Sequence, residues 1–153
     1  MRLLPVRQDG SVSTERVLGP ETLQVCRMLC DHYARSGYEE PWVGYLAEEE
    51  GEIVGTCAFK SAPQAGRVEI AYYTFAPYEG RGYATRMARQ LVAMALERDP
   101  ALTLTAHTLP AQSASTVILV RLGFMKAGES RDPDDGIVWS WELRNAPPRL
   151  AGE

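Results

Sequence analysis

Two glycines stand in a short turn between the best predicted strand and the best predicted helix of the chain. Gly80 and Gly82 lie in this turn, and the helical pattern begins at Tyr83. Glycines let successive backbone N–H groups point into one concavity, and a helix N-terminus adds free N–H groups and the positive end of its dipole. Such a turn suits a phosphate or pyrophosphate, although the glycines could simply shape a tight connection. The Walker and GxGxxG patterns of ATP and NAD sites are absent from it.

This turn carries the first of two motifs that resemble the GCN5-related N-acetyltransferase (GNAT) superfamily. The superfamily's acetyl-CoA signature, Gln/Arg-x-x-Gly-x-Gly/Ala, falls on Glu-Gly-Arg-Gly-Tyr-Ala at residues 79–84. The second motif is Gln-Ser-Ala-Ser at residues 112–115 with Leu-Gly-Phe at 122–124, and it is similar to the branch that acetylates ribosomal-protein N-termini. The resemblance implies one acetyltransferase domain over residues 1–144. The last nine residues, 145–153, contain two consecutive prolines and little to bury, so they are expected to form a flexible tail.

The sequence departs from the superfamily pattern at two positions. Glu79 stands where Gln or Arg is usual, and a carboxylate there would repel a pyrophosphate, so only its backbone N–H is expected to serve. Leu119 stands where many members place the tyrosine that protonates the leaving thiolate. The expected activity is transfer of an acetyl group from acetyl-CoA directly to a primary amine. A transferase of another acyl-CoA and a non-catalytic CoA-binding regulatory module are the alternatives.

The resemblance also implies where acetyl-CoA would lie. It would enter between two diverging strands, residues 68–75 and 102–108, with its pantetheine arm pairing like an extra strand and its pyrophosphate on the turn. An oxyanion would be stabilised by a backbone N–H near Thr74, and preorganised donors of this kind strongly favour the transition state. The implied cofactor-binding residues are Tyr73, Thr74, Phe75, Ala76, Gly80, Arg81, Gly82, Tyr83, Ala84, Thr85 and Gln112.

Two residues are candidates for proton transfer. Glu69, in Glu-Ile-Ala-Tyr at residues 69–72, matches the base of the ribosomal-type branch, acting directly or through water. Its alternative role is a carboxylate paired with Arg67 or with a cation on a neighbouring strand. Ser115 is the candidate donor to the leaving thiolate, with a helix-surface or capping serine as the alternative. His107, at a strand end near the cleft, is either a substrate contact or an ordinary strand-end histidine.

The acceptor is expected at two acidic segments. Tyr38, Glu39, Glu40 and Trp42 lie in the first, and residues 131–136, with three aspartates, form the second. Clustered carboxylates attract a cation over long distances, and the aromatic rings could add cation–π contacts. This pattern predicts a cationic primary amine, either a polyamine-like or aminoglycoside-like molecule or a basic peptide N-terminus. The alternative is that these acids only solvate surface loops.

Apolar and turn patterns predict the elements that must position these residues. Strands are expected near 3–7, 42–47, 53–59, 68–75, 102–108, 125–129 and 137–143, with helices from Pro20 to Gly37 and over 83–96. Residues 113–122 are ambiguous, because strand-forming side chains precede the helix-capping Gly123. Interspersed helices and hairpins indicate a mixed α/β (α+β) fold. The GNAT resemblance makes it a mostly antiparallel sheet of about seven strands, flanked by helices and splayed at its centre.

Composition bounds the remaining possibilities. A chain of 153 residues with 45% hydrophobic residues can form one globular domain. A net charge of −4 disfavours nucleic acid, and no apolar run is long enough for a membrane span. Cys26, Cys30 and Cys57 indicate free thiols in a reducing cytoplasm, and with only two histidines, His32 and His107, no metal site is expected. A monomer or a homodimer is expected.

Overall fold

The computed structural model describes residues 1–144, which form three α-helices and seven strands. The C-terminal tail predicted at 145–153 lies outside these residues. In chain order the elements are β1 (Arg2–Pro5), α1 (Pro20–Ser36), β2 (Gly44–Glu49), β3 (Glu52–Phe59), β4 (Arg67–Thr74), α2 (Tyr83–Arg98), β5 (Thr103–Thr108), α3 (Ala114–Arg121), β6 (Met125–Asp132) and β7 (Gly136–Arg144). A short 3₁₀ turn, Ala76–Tyr78, separates β4 from α2.

The strands form one sheet in the order β1-β2-β3-β4-β5-β7-β6. Every neighbouring pair is antiparallel except β4 and β5, which run parallel because α2 carries the chain back over the sheet between them. The predicted mixed, mostly antiparallel seven-stranded sheet is therefore confirmed. Strand bounds differ from the prediction by one to three residues, and β4 ends at Thr74 instead of Phe75.

The two faces of the sheet carry different helices. An added Cβ at Gly44 of β2 would meet Leu29 of α1, whereas one at Gly55 of β3 would meet Met87 of α2. The two glycines point to opposite sides, so α1 covers one face and α2 the other. The larger hydrophobic cluster lies mainly on the α2 face and includes Leu91, Leu104 and Leu119, all fully buried. These faces are called the α1 face and the α2 face below.

The ambiguous segment 113–122 is helical, and its N-terminus explains why. The side chain of Ser113 accepts a hydrogen bond from the Thr116 backbone N–H, and the Thr116 hydroxyl accepts one from the Ser113 N–H. This reciprocal cap satisfies two N–H groups that a helix start leaves free. Gly123, at φ 96°, ends the segment in a conformation that favours glycine. The helix cap and the burial of Leu119 in the core together outweigh the strand propensity of the Val-Ile-Leu-Val run.

Candidate active site

The sheet opens between β4 and β5. Only three residues of β4 pair with β5, from Arg67 opposite Thr103 to Glu69 opposite Thr105. Beyond this point β4 remains paired with β3 as far as Thr74, and β5 remains paired with β7 as far as Thr108. The two strands therefore diverge and leave a wedge-shaped cleft in the middle of the sheet, as the resemblance implied. This opening is called the splay below.

The backbone groups that face the splay follow from strand alternation. Glu69 O accepts from Lys60 N, and Phe75 N donates to Val54 O, so odd-numbered residues of β4 turn their main-chain groups toward β3. Thr74 consequently turns its N–H and C=O toward the splay, where β5 has already diverged. Its hydroxyl oxygen is also buried and has no hydrogen-bond partner within residues 1–144. A bound group would satisfy these polar atoms, since buried polar groups in proteins are usually paired.

The predicted pantetheine-binding residues differ in whether their main-chain groups face the splay or β3. Thr74 faces the splay, and the exposed Ala76 follows it. Tyr73 and Phe75 are paired with β3 through the main chain, so only their side chains remain available to a ligand. Tyr73 is exposed and Phe75 is buried, and their rings meet edge to face with centroids 6.0 Å apart.

The turn before α2 has the backbone that the glycines predicted. Gly80 and Gly82 have φ of 77° and 79°, in the left-handed region that L-residues with a side chain rarely adopt. Gly82 is the N-cap of α2, with no side-chain cap and no acidic residue in the first turn. The first helical hydrogen bond runs from Arg86 N to Gly82 O, so the N–H groups of residues 83–85 are free of helical partners. Free N–H groups at a helix N-terminus, together with the positive end of the helix dipole, can bind an anion.

Glu79 and two of the predicted cofactor-binding residues, Arg81 and Gln112, lie in loops at the surface. The Glu79 backbone N–H, which was expected to serve the ligand, is instead donated to Ala76 O. Arg81 is exposed, and its guanidinium lies 5.9 Å from the centre of the Tyr78 ring. Gln112 is exposed in the loop between β5 and α3. All three lie in the segments before α2 or α3.

Glu69 lies at the point where the splay opens, on the α1 face. Its side chain is 25% exposed, with Oε2 3.4 Å from Lys60 Nζ and 3.2 Å from His107 Nδ1. Arg67, the alternative partner, instead pairs with Glu142 of β7. Cross-strand pairing of Glu69 is therefore observed, with Lys60 and His107 as its partners. Lys60 was not singled out from the sequence, because only the register of β3 on β4 brings it beside Glu69.

Ser115 lies in the first turn of α3, on the opposite face of the sheet from Glu69. The hydroxyl of Tyr72 on β4 donates to the Ser115 carbonyl oxygen at 3.2 Å, and the Ser115 side chain is partly exposed. The helix cap comes from Ser113, so Ser115 is not the capping residue. Burial raises the pKa of Tyr72 to about 12. The Leu119 side chain is fully buried in the core and offers no proton.

A groove of about 850 Å³ lies between α1 and strands β3 and β4. Its charged lining is mixed, with Asp31 and Arg35 from α1, Lys60 from the end of β3 and Asp134 from the β6–β7 turn. His32 also lines it, and its Nε2 lies 2.6 Å from the Lys60 carbonyl oxygen. Because Lys60 contacts Glu69, the groove ends beside the splay. It offers an approach to the cleft from the α1 face.

Most of the residues predicted to bind the acceptor do not line this groove. Tyr38 donates its hydroxyl to Glu40 at 2.7 Å, and the Trp42 ring packs edge to face on Phe59. Glu39 and Glu40 are exposed and, like Tyr38 and Trp42, do not line the groove. Asp134 of the second acidic segment does line it. The two predicted acidic segments are therefore not brought together around one cavity within residues 1–144.

Two of the three cysteines and Trp141 belong to the hydrophobic core. Cys26 and Cys57 are buried, and burial raises the pKa of both thiols, that of Cys57 to about 12. Trp141 is buried, with Nε1–H donated to Thr108.

Within the described part of the chain no three His, Cys, Asp or Glu side chains gather as metal ligands would. Over the same residues, no helix combines the length and apolar character that crossing a bilayer requires.

The sequence of the chain also matches a known protein family. The sequence profile of the acetyltransferase (GNAT) domain matches residues 3–125, so the chain is a member of that family. A curated relative, the uncharacterized N-acetyltransferase p20 of Bacillus licheniformis, is 30% identical over 88 residues. That match covers 57% of this chain and 49% of the relative, so the chain spans about half the relative's length. The resemblance drawn from the two sequence motifs is confirmed.

Solved structures share the architecture at low sequence identity. A ribosomal-protein-alanine N-acetyltransferase from Brucella melitensis is 17% identical, with a TM-score of 0.62 over 86% of this chain and 82% of that one. The microcin C7 self-immunity acetyltransferase MccE, solved with acetyl-CoA and AMP, is 13% identical, with a TM-score of 0.64 over 81% and 70% of the two chains. At these identities the likeness defines the fold.

Proposed function

We propose that this protein is an acetyl-CoA-dependent N-acetyltransferase that moves the acetyl group directly from the thioester to a primary amine. The observation that carries the proposal is the line of unpartnered donors from Thr74 in the splay to the free N–H groups at residues 83–85. The pantetheine arm pairs with the β4 edge at Thr74 and Ala76. The pyrophosphate accepts hydrogen bonds from the start of α2.

The thioester then lies in the splay, between the α1 face and the α2 face. The acceptor amine approaches through the groove and loses a proton to the group around Glu69. The Thr74 N–H stabilises the oxyanion, a contribution of about 3 kcal/mol for a preorganised donor. Ser115, on the α3 side of the splay, supplies the proton that the CoA thiolate takes up. The acceptor is a cationic primary amine, a small molecule or a peptide N-terminus, and the enzyme works in the reducing cytoplasm.

A second candidate is a CoA-binding regulatory module without activity. The fully buried Leu119 favours it, because the position of the superfamily's tyrosine offers no acid. A transferase of another acyl group keeps the same cleft. We favour catalysis over binding alone because Lys60, Glu69 and His107 gather where the splay opens, and a module that only binds CoA does not need such a cluster.

The test has two stages. In a thermal-shift series with acetyl-CoA, CoA, ATP and NAD, only the CoA species should stabilise the protein. The stabilisation should be about 2.7 kcal/mol at a ligand concentration a hundred times the dissociation constant. Thiol release from acetyl-CoA and from succinyl-CoA is then followed with a panel of primary amines. Stabilisation by ATP or NAD alone would refute the cofactor, whereas CoA binding without thiol release would support the regulatory module.

A further inference from the structure

The side chains of Glu69 and His107 bridge the splay at the point where it opens. Glu69 is opposite Thr105 in the parallel register, and His107 lies two residues further along β5. Side chains alternate along a strand, so His107 shares the α1 face with Glu69. The 3.2 Å contact between Glu69 Oε2 and His107 Nδ1 therefore spans the gap between strands that no longer pair.

This contact determines which imidazole nitrogen is free. A carboxylate accepts the N–H of Nδ1, so the neutral ring carries its lone pair on Nε2. Nε2 has no hydrogen-bond partner among residues 1–144, and the His107 side chain is 34% exposed. The Glu69 carboxylate contacts both Lys60 and His107 through the same oxygen, Oε2. Because a neutral imidazole is ordinarily a stronger base than a carboxylate, the unpartnered Nε2 of His107 is the atom of this cluster best suited to take a proton.

The charged groups around the imidazole come from three elements. Lys60, just after β3, and Glu69 of β4 lie on one side of it. Asp132 of β6 is close enough for His107 and Lys60 to act on its pKa, which is lowered chiefly by hydrogen bonds from the Asp134 and Asp135 backbones. Two carboxylates and one ammonium group therefore lie around the imidazole.

We propose that His107 Nε2 is the atom that takes the proton from the acceptor ammonium, with Glu69 as the residue that positions the imidazole. The inference rests on the proposed acetyltransferase function. One ammonium N–H bond breaks and Nε2–H forms, leaving an imidazolium paired with Glu69. The amine lone pair attacks the thioester carbon, and the tetrahedral intermediate expels the CoA thiolate. The second N–H proton of the attacking nitrogen ends on that thiolate, and His107 releases its own proton to solvent.

The experiment compares His107→Gln, Glu69→Gln and the control Glu97→Gln, which changes an exposed carboxylate in the last turn of α2. General base catalysis contributes about 10²- to 10⁴-fold, so His107→Gln should lower kcat/KM for the amine at least a hundredfold at pH 7. The loss should shrink as the pH approaches the pKa of the amine. Glu69→Gln should lose about tenfold, since its amide oxygen still accepts Nδ1–H, and Glu97→Gln less than threefold. CoA affinity should be unchanged in all three.

A second readout does not depend on activity. Nitrogen-15 NMR of the imidazoles, with His107→Gln used for assignment, should show neutral His107 protonated on Nδ1 in the wild type and a loss of this preference in Glu69→Ala. A proton on Nε2 would overturn the inference. So would a folded His107→Gln enzyme within threefold of wild type, or a larger loss in Glu69→Gln, while the proposed function would stand. A wild-type protein that binds CoA and transfers acetyl to no amine overturns both.

Discussion

The hydroxyl of Tyr72 lies 3.2 Å from the carbonyl oxygen of Ser115, and this hydrogen bond joins β4 at the splay to the first turn of α3. Ser115 and Tyr72 each carry a hydroxyl group, whereas the buried Leu119 carries none. If Ser115 protonates the thiolate, Ser115→Ala should lower kcat about tenfold or more and leave the KM for acetyl-CoA nearly unchanged. A thioester with a more acidic thiol should be affected less, because its leaving group needs no proton.

Tyr72→Phe is the companion variant. It removes one partly buried hydrogen bond and should lower the free energy of unfolding by about 0.5–1.5 kcal/mol, measured by denaturant titration. Its kcat should change less than that of Ser115→Ala. The reverse order, with Tyr72→Phe the slower enzyme and the one rescued by an acidic thiol, would move the proton-donor role from Ser115 to Tyr72.

The cofactor site is tested with Gly82→Val. Valine at φ 79° is strained by about 1–2 kcal/mol, and its side chain stands at the start of α2 where the pyrophosphate must approach. We expect CoA binding, measured by isothermal titration calorimetry, to be lost while the circular dichroism spectrum is retained. Gly66→Val is the matched control, because Gly66 has φ 73° and equally open surroundings but lies at the paired end of β4 and β5. Equal CoA affinity in the two variants would exclude the turn as the pyrophosphate site.

The base cluster is tested through the pH dependence of Glu69→Gln. Loss of the carboxylate should slow the reaction more than it weakens acetyl-CoA binding, and most at neutral pH, where the amine is charged. At higher pH more of the amine is already neutral, so the ratio of wild-type to variant rates should approach one. A pH–rate profile with the same shape as that of the wild type would remove Glu69 from proton transfer.

The two acidic segments predicted to attract the acceptor lie differently relative to the groove. Asp134 lines the groove, whereas Glu39 and Glu40 do not. Asp134→Asn should therefore lower kcat/KM for cationic amines and weaken its salt dependence, since the screening length falls from about 10 Å at 0.1 M salt to about 3 Å at 1 M. The double variant Glu39→Gln/Glu40→Gln serves as the control and should change little. Equal salt dependence in all three proteins would show that the acids only solvate the surface.

The cysteines give a test of the core. Burial raises the pKa of Cys57 to about 12 and also raises that of Cys26, so both stay protonated and shielded at pH 8. Cys30 is only partly buried. Iodoacetamide should modify Cys30 first in the native protein and all three thiols in denaturant, as followed by mass spectrometry of tryptic peptides. Rapid native labelling of Cys57 would contradict the packing of β3.

Much of the architecture follows from local patterns in the sequence. The helical period of apolar residues identifies α2, and the alternating pattern identifies β4. The glycines before α2 identify a turn that requires positive φ. Residues 113–122 are harder, because the cap at Ser113 and the strand propensity of the following run favour different structures. The packed tertiary structure resolves that competition by burying Leu119 on the α2 face.

The sequence by itself determined the GNAT family and the strand–turn–helix arrangement at Gly80 and Gly82, and it made Glu69 a candidate for proton transfer. Only the tertiary structure decided which residues surround Glu69, because Lys60 and His107 reach it through the antiparallel register of β3 and the parallel register of β5. It also decided that Asp134 lines the groove whereas Tyr38 and Trp42 do not. Register and loop placement depend on contacts distant in sequence, so no local pattern of residues encodes them.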